Sequence, residues 1–214
     1  MRRRAATDGG MLRAVQVRHP GFKAAVLADL SVARRQRGER ERLTSRVAVA
    51  REVLRLMWLS DAFGALVLYR LKAACQRREI PVIPRLAHRA AIAWAQLSIG
   101  DPVLVHPGII LPHGQVVIDG FVEIHSGVRL RPFVTIGLKE GVIIGPKIHR
   151  HAAIGTGAKV IGPITIGPNA KIGANSVVVH DVAPGAVVGG VPARVLRPGS
   201  GNEPDQGAVG KNPK

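Results

Sequence analysis

Eight histidines and a single cysteine, Cys75, are the side chains of this 214-residue chain best suited to proton transfer, nucleophilic attack or metal binding near neutral pH. One cysteine excludes an intrachain disulfide framework and any cysteine-cluster metal site. His113 stands in a Pro-His-Gly turn, and His149 and His151 flank an arginine. A lone histidine in a turn is most simply a surface residue. These residue types therefore gain meaning only from the elements that position them.

The formal net charge is +17. Residues 1–98 carry 20 Lys/Arg against 7 Asp/Glu, whereas 99–196 carry 8 against 5. The basic excess belongs to the N-terminal half and reads first as a solvated, arginine-rich helical surface. Aromatic residues are only 3% of the chain and do not alternate with the cations, so the composition argues against nucleic-acid binding. No stretch reaches the ~20 apolar residues of a membrane span. The opening MRRRAATDGG has charge but no apolar run behind it, unlike a secretory leader. A reducing, cytoplasmic setting is expected.

Four segments differ in texture. Residues 1–26 are expected as a basic flexible arm and 197–214, rich in Pro and Gly, as a disordered tail. Residues 27–98 read as α-helical, with Thr44 or Ser45 capping a helix that carries Val47, Val49, Val53, Leu54, Met57 and Trp58. Ser60-Asp61 starts the next helix, Ile80–Pro84 breaks it, and Arg85–Leu97 forms another.

The segment 99–196 carries the strongest signal. From Ile118, every sixth residue is a branched aliphatic: Ile124, Leu130, Ile136, Val142, Ile148, Ile154, Val160, Ile166, Ile172 and Val178. Ile99, Val105 and Leu111 keep the same step with the phase shifted by one. A period of six fits neither an α-helix nor a simple strand. It fits a coil with three flat faces of about six residues each, whose aliphatics stack inside a narrow prism. Gly and Asn at the corners accept positive φ. About five such coils are expected.

Three stretches carry a resemblance: ILPHGQVVI at 110–118, FVTIG at 133–137 followed by a loop and PKI at 146–148, and the run from Ile154 to Val179 that ends in GGVPARVL at 189–196. In these the chain resembles hexapeptide-repeat acyltransferases of the serine O-acetyltransferase group. The resemblance implies a mainly β fold, a left-handed parallel β-helix preceded by an α-helical N-terminal region. It also implies acetyl-CoA as cosubstrate, a small hydroxyl acceptor, no metal, and a homotrimer or a dimer of trimers. His113 matches the catalytic base. Gly137, Leu138, Thr156 and Ala174 match positions whose amides face pantetheine, while Lys171 and Arg194, with Lys159 a weaker candidate, suit the CoA phosphates.

This sequence departs from the family's acceptor site. The family's carboxylate beside the histidine is Pro112 here, its aspartate one coil earlier is Ser98, and its second arginine-histidine pair is Ile144-Gly145. Asp101, Asp119 and Arg131 are candidate substitutes. A sugar or polysaccharide precursor is the alternative acceptor, and a non-catalytic β-helix scaffold is the alternative of another class. A zinc lyase on such a coil requires three converging histidines. No pair among His106, His125, His149, His151 and His180 has the five-residue spacing expected for it.

Overall fold

The computed structural model describes residues 2–39, 41 and 43–199, with side chains from residue 9 onward. Five helices come first: α1 (Arg2–Arg18), α2 (Phe22–Gln36), α3 (Arg46–Leu59), α4 (Asp61–Arg77) and α5 (Ile83–Ala95). Ser45 caps α3 by accepting from the Ala48 N–H, and Ser60 caps α4 by accepting from Phe63. Both caps were legible in the sequence.

Four boundaries differ from expectation. The segment read as a flexible arm is helical over 2–18, and His19, Ala25 and Val26 behind it are buried. Its alanines and arginines are good helix formers, and Arg13 pairs with Glu79 at 2.7 Å. The break between α4 and α5 is shorter than expected, because Ile83 and Pro84 enter the first turn of α5, where a fixed φ and a missing N–H cost nothing. Helix α5 also stops earlier: Gln96 takes the left-handed conformation at its C-cap, and Leu97 already lies in a strand. Of the tail expected from 197, Arg197 lies in the last strand and 200–214 fall outside the described residues.

The remainder is a three-sided parallel coil. Leu97–Ile99, Val116–Ile118, Thr135–Gly137, Lys159–Ile161 and Val177–Val178 stack as one face. Leu104–Val105, Phe121–Ile124, Ile144–Ile148 and Thr165–Ile166 form the second. Arg129–Leu130, Ala153–Ile154, Lys171–Ile172 and Val187–Gly189 form the third, closed by the antiparallel strand Arg194–Arg197. Ile118, Ile124, Leu130, Ile136, Ile148, Ile154, Val160 and Ile166 are all 0–1% exposed, so the six-residue step lines the prism interior. Val142 breaks the pattern: it is only half-buried, in a loop that makes the spacing from Ile124 to its partner Ile148 one face longer than a plain coil. Two corner columns hold positive φ, one through Gln115, Phe133, Gly157 and Asn175, the other through Gly108, Gly127, His151, Asn169 and Gly185.

A stacked coil ends in unpaired backbone groups, and α4 covers those of the first coil. The Tyr69 hydroxyl donates to the Val103 carbonyl at 3.0 Å and accepts from the Val105 N–H at 3.3 Å. Arg70 donates to the carbonyls of Val105 and His106, and Lys72 to that of Ile99 at 2.6 Å. The two cations are buried and paired, Arg70 with Asp29 at 2.8 Å and Lys72 with Asp101 at 2.7 Å. Burial pulls the Lys72 pKa below its ordinary value, against the opposing effect of the hydrogen bond it donates to Asp101. The helical region and the coil thus share one polar seam.

Candidate active site

The one-residue phase slip has a definite location. Leu97 pairs with Val116, Leu104 with Glu123 and Ile110 with Arg129, each 19 residues on, whereas Val117 and Ile118 pair with Thr135 and Ile136, 18 on. The extra residue therefore sits in the corner between Leu111 and Val116, and that corner carries His113.

Helix α5 holds this corner. The Gln115 N–H donates to the Ala95 carbonyl at 2.8 Å, at the C-terminal end of α5. A Cβ on Gly114 would collide with the same carbonyl oxygen, so only glycine allows the approach. His113 is exposed and opens into a cavity of about 560 Å³ between the helices and the first coil. Gln36, Asp61, Trp94, Gln96 and Gln115 contribute to its wall. The Trp94 indole N–H donates to Asp61 at 3.0 Å, which fixes an aromatic face and a carboxylate together.

The other expected residues divide between two prism edges. Thr156 and Ala174 lie on the edge that carries His113, on successive coils. The Asn175 N–H donates to the Thr156 carbonyl at 2.8 Å, and a Cβ on Gly155 would meet the Ala174 nitrogen at 2.6 Å. Gly137 and Leu138 end the opposite side of the first face, on the next edge. The Leu138 side chain lies over Gly120 of the preceding coil, where a Cβ would collide with it. Lys171 and Arg194 are exposed on the third face, and Lys159 donates to the Phe133 carbonyl at 3.0 Å. One copy of the chain does not bring all of these residues around a single cleft.

Ser98 is half-buried on the first strand, Pro112 adjoins His113, and Ile144 and Gly145 open the strand after the loop. Of the possible substitutes, Asp101 is engaged by Lys72, and Asp119 packs beside Gly100 on the other edge. Arg131 lies one coil beyond Pro112, on the edge of His113, and is exposed.

A second group of ionisable side chains lies on the second face, opposite the edge of His113. His106, His125 and His149 stack ring on ring, with centroids 4.7 and 5.1 Å apart. Glu123 meets His106 at 2.9 Å and His125 at 3.7 Å. Burial raises the Glu123 carboxyl, but the hydrogen bond from His106 and the charges of Arg18 and Lys147 outweigh it, and the net direction is down. The His125 pKa is lowered, by burial first and by His106 next. The sequence signal for this group is one coil length: His106 to His125 spans 19 residues, the same offset that pairs the first two coils.

Residues 145–180 match the bacterial transferase hexapeptide (six repeats) family. Serine acetyltransferase of Synechococcus elongatus is 32% identical over 157 residues, covering 69% of this chain, and the chain spans only 62% of that protein's length. Serine acetyltransferase of Bacillus subtilis is 33% identical over 150 residues, 69% of each chain. The solved structure of soybean serine acetyltransferase complexed with serine superposes with a TM-score of 0.68 at 29% identity, covering 83% of this chain and 70% of that one. The shared fold is a left-handed parallel β-helix behind an N-terminal helical region.

Proposed function

The chain belongs to the serine acetyltransferase family, and on that premise we propose that it transfers an acetyl group from acetyl-CoA to a small hydroxyl acceptor, serine foremost. The observation that carries the reading is the corner at His113, an exposed imidazole on a bulged turn clamped by α5 and facing a cavity. In this reading His113 takes the acceptor's hydroxyl proton, and the alkoxide oxygen attacks the thioester carbonyl. The tetrahedral intermediate collapses with release of the CoA thiolate, which recovers the proton from the imidazolium. Backbone amides at Gly137, Leu138, Thr156 and Ala174 line the pantetheine arm, and Lys171 and Arg194 take the phosphates.

Because these residues occupy two edges of one prism, the cleft closes between neighbouring copies, which supports a homotrimer. Helix α3 leaves Val47, Leu54 and Trp58 exposed on one side, Trp58 at 86%, and this stripe suits pairing of helical regions between trimers. A reducing, cytoplasmic setting completes the reading, consistent with a free, buried Cys75.

A sugar hydroxyl is the second acceptor favoured by a specific observation. The wall near His113 offers an indole, amides and Asp61, whereas the family's serine-binding positions here are Pro112, Ser98, Ile144 and Gly145. The test follows CoA release from acetyl-CoA with L-serine and with a panel of sugars. Turnover with serine supports the first acceptor, and turnover with a sugar alone selects the second. His113→Ala should slow the active pair by roughly 10²–10⁴-fold with the melting temperature unchanged. Absence of transfer to any acceptor would leave the scaffold reading in its place.

A further inference from the structure

We propose that His106, Glu123 and His125 form a binding site for a divalent transition-metal ion, zinc by preference, on the prism face opposite His113. One ligand atom from each of the three lies within 4.8 Å of the others. Around a tetrahedral zinc ion the ligand atoms stand about 3.3 Å apart, given metal–ligand distances near 2.0–2.1 Å. The separations here, 2.9 Å and 3.7 Å from the same Glu123 oxygen to the two imidazole nitrogens, bracket that value. The rings of His106 and His125 lie 10° from parallel with centroids 4.7 Å apart, so binding requires the two imidazoles to tilt until both nitrogens face one ion.

A second feature points the same way. The Nε2 of His125 is buried and has no hydrogen-bond partner, although its ring is fixed between those of His106 and His149. An orphaned imidazole nitrogen aimed beside a carboxylate is an energetic cost that an ion would remove. Two imidazoles and one carboxylate suit zinc, cobalt or nickel better than calcium or magnesium, which take all-oxygen shells. Three protein ligands leave at least one position for water.

The backbone supplies rigid support. His106 and His125 follow the inward residues Val105 and Ile124 on paired strands of adjacent coils, and Glu123 sits one inward residue before His125. The site would therefore clip the first coil to the second. Without an ion, Glu123 is neutralised by Arg18 at 2.6 Å from the end of α1 and by Lys147 at 3.8 Å. The Arg18 side chain is 54% exposed and can swing away. Arg18 is thus a competitor of the metal, which makes the proposal unusually easy to test.

The experiment titrates EDTA-treated full-length protein with zinc chloride by calorimetry, and with cobalt chloride by visible absorption. One ion per chain is expected, with cobalt d–d bands of four- or five-coordinate intensity. Glu123→Gln and His125→Ala should each weaken binding by more than the ~10–100-fold of an outer-shell change. His149→Ala, which removes a stacking ring but no ligand, should leave affinity unchanged, and Arg18→Ala should raise it. If wild-type protein takes up no stoichiometric zinc or cobalt, or if Glu123→Gln and His125→Ala bind as well as wild type, the site does not exist. Should either ligand variant melt early, the wild-type stoichiometry and the Arg18→Ala gain still decide the matter, because neither depends on those variants folding.

Discussion

Replacing Arg70 with methionine should destabilise the protein more than any surface change. Arg70 and Asp29 are 2% and 3% exposed. The guanidinium makes two contacts to Asp29, at 2.8 and 3.3 Å, and donates to the carbonyls of Val105 and His106 at 2.6 and 3.0 Å. Methionine would fill much of the volume but leave the Asp29 carboxylate with the Gly108 N–H, at 2.7 Å, as its remaining donor. Breaking a buried pair from one side costs ~3–5 kcal/mol, because the other charge stays behind. For a chain of this size each kcal/mol lowers Tm by about 2–4 °C, so a fall of roughly 6–20 °C is expected. Adding Asp29→Leu removes the orphaned charge and should recover part of the loss. The residue, about 1–3 kcal/mol, reflects the unpaired carbonyls and the Gly108 N–H. Urea melts of wild type, both single variants and the double, at one fixed protomer concentration, measure the cycle. A loss under ~1 kcal/mol for Arg70→Met, or strict additivity in the double, would refute the claim that this pair joins the helices to the coil.

Other outcomes follow from the same geometry. The His19 pKa is pushed down to about 4, by burial and then by the charges of Arg70 and Lys72. The unfolded chain protonates it near 6.5, so this contribution is neutral above that pH and destabilises the fold as pH falls from 6.5 to 4, by up to about 3 kcal/mol. Urea midpoints should drop across that window and should flatten in His19→Phe; equal pH slopes for the two proteins would contradict the assignment. Gly114→Ala drives a methyl into the Ala95 carbonyl and should impair acetyl transfer through displacement of His113, with near-normal helicity by circular dichroism; wild-type kinetics would show that α5 does not set the corner. Ile166→Asp puts a carboxylate at a 0% exposed position of the prism and should cost several kcal/mol, so an unshifted melt would disprove the inward stacking.

The coil was readable from the amino-acid sequence because its stabilisation is periodic and local. Every sixth aliphatic meets an equivalent neighbour one turn away, so Ile118, Ile136, Val160 and Val178 announce one stack without knowledge of anything else. The caps at Ser45 and Ser60 were legible for the same reason, since each hydrogen bond closes within three residues. The turn at His113 was visible as a slipped phase. Its attachment to α5 was not, because the Ala95 carbonyl bears no sequence mark. Nor does any period relate Asp29 to Arg70, 41 residues apart, or draw Arg18 to Glu123, 105 residues apart. The helical identity of residues 2–18 was lost because Gly9-Gly10 interrupts its alanines and arginines, no apolar stripe marks a face, and the anchoring partner Glu79 lies far along the chain. Tertiary packing alone decided these, since a contact between non-repeating elements depends on the path of the chain in space, whereas a coil rung depends only on the residues one turn above and below it.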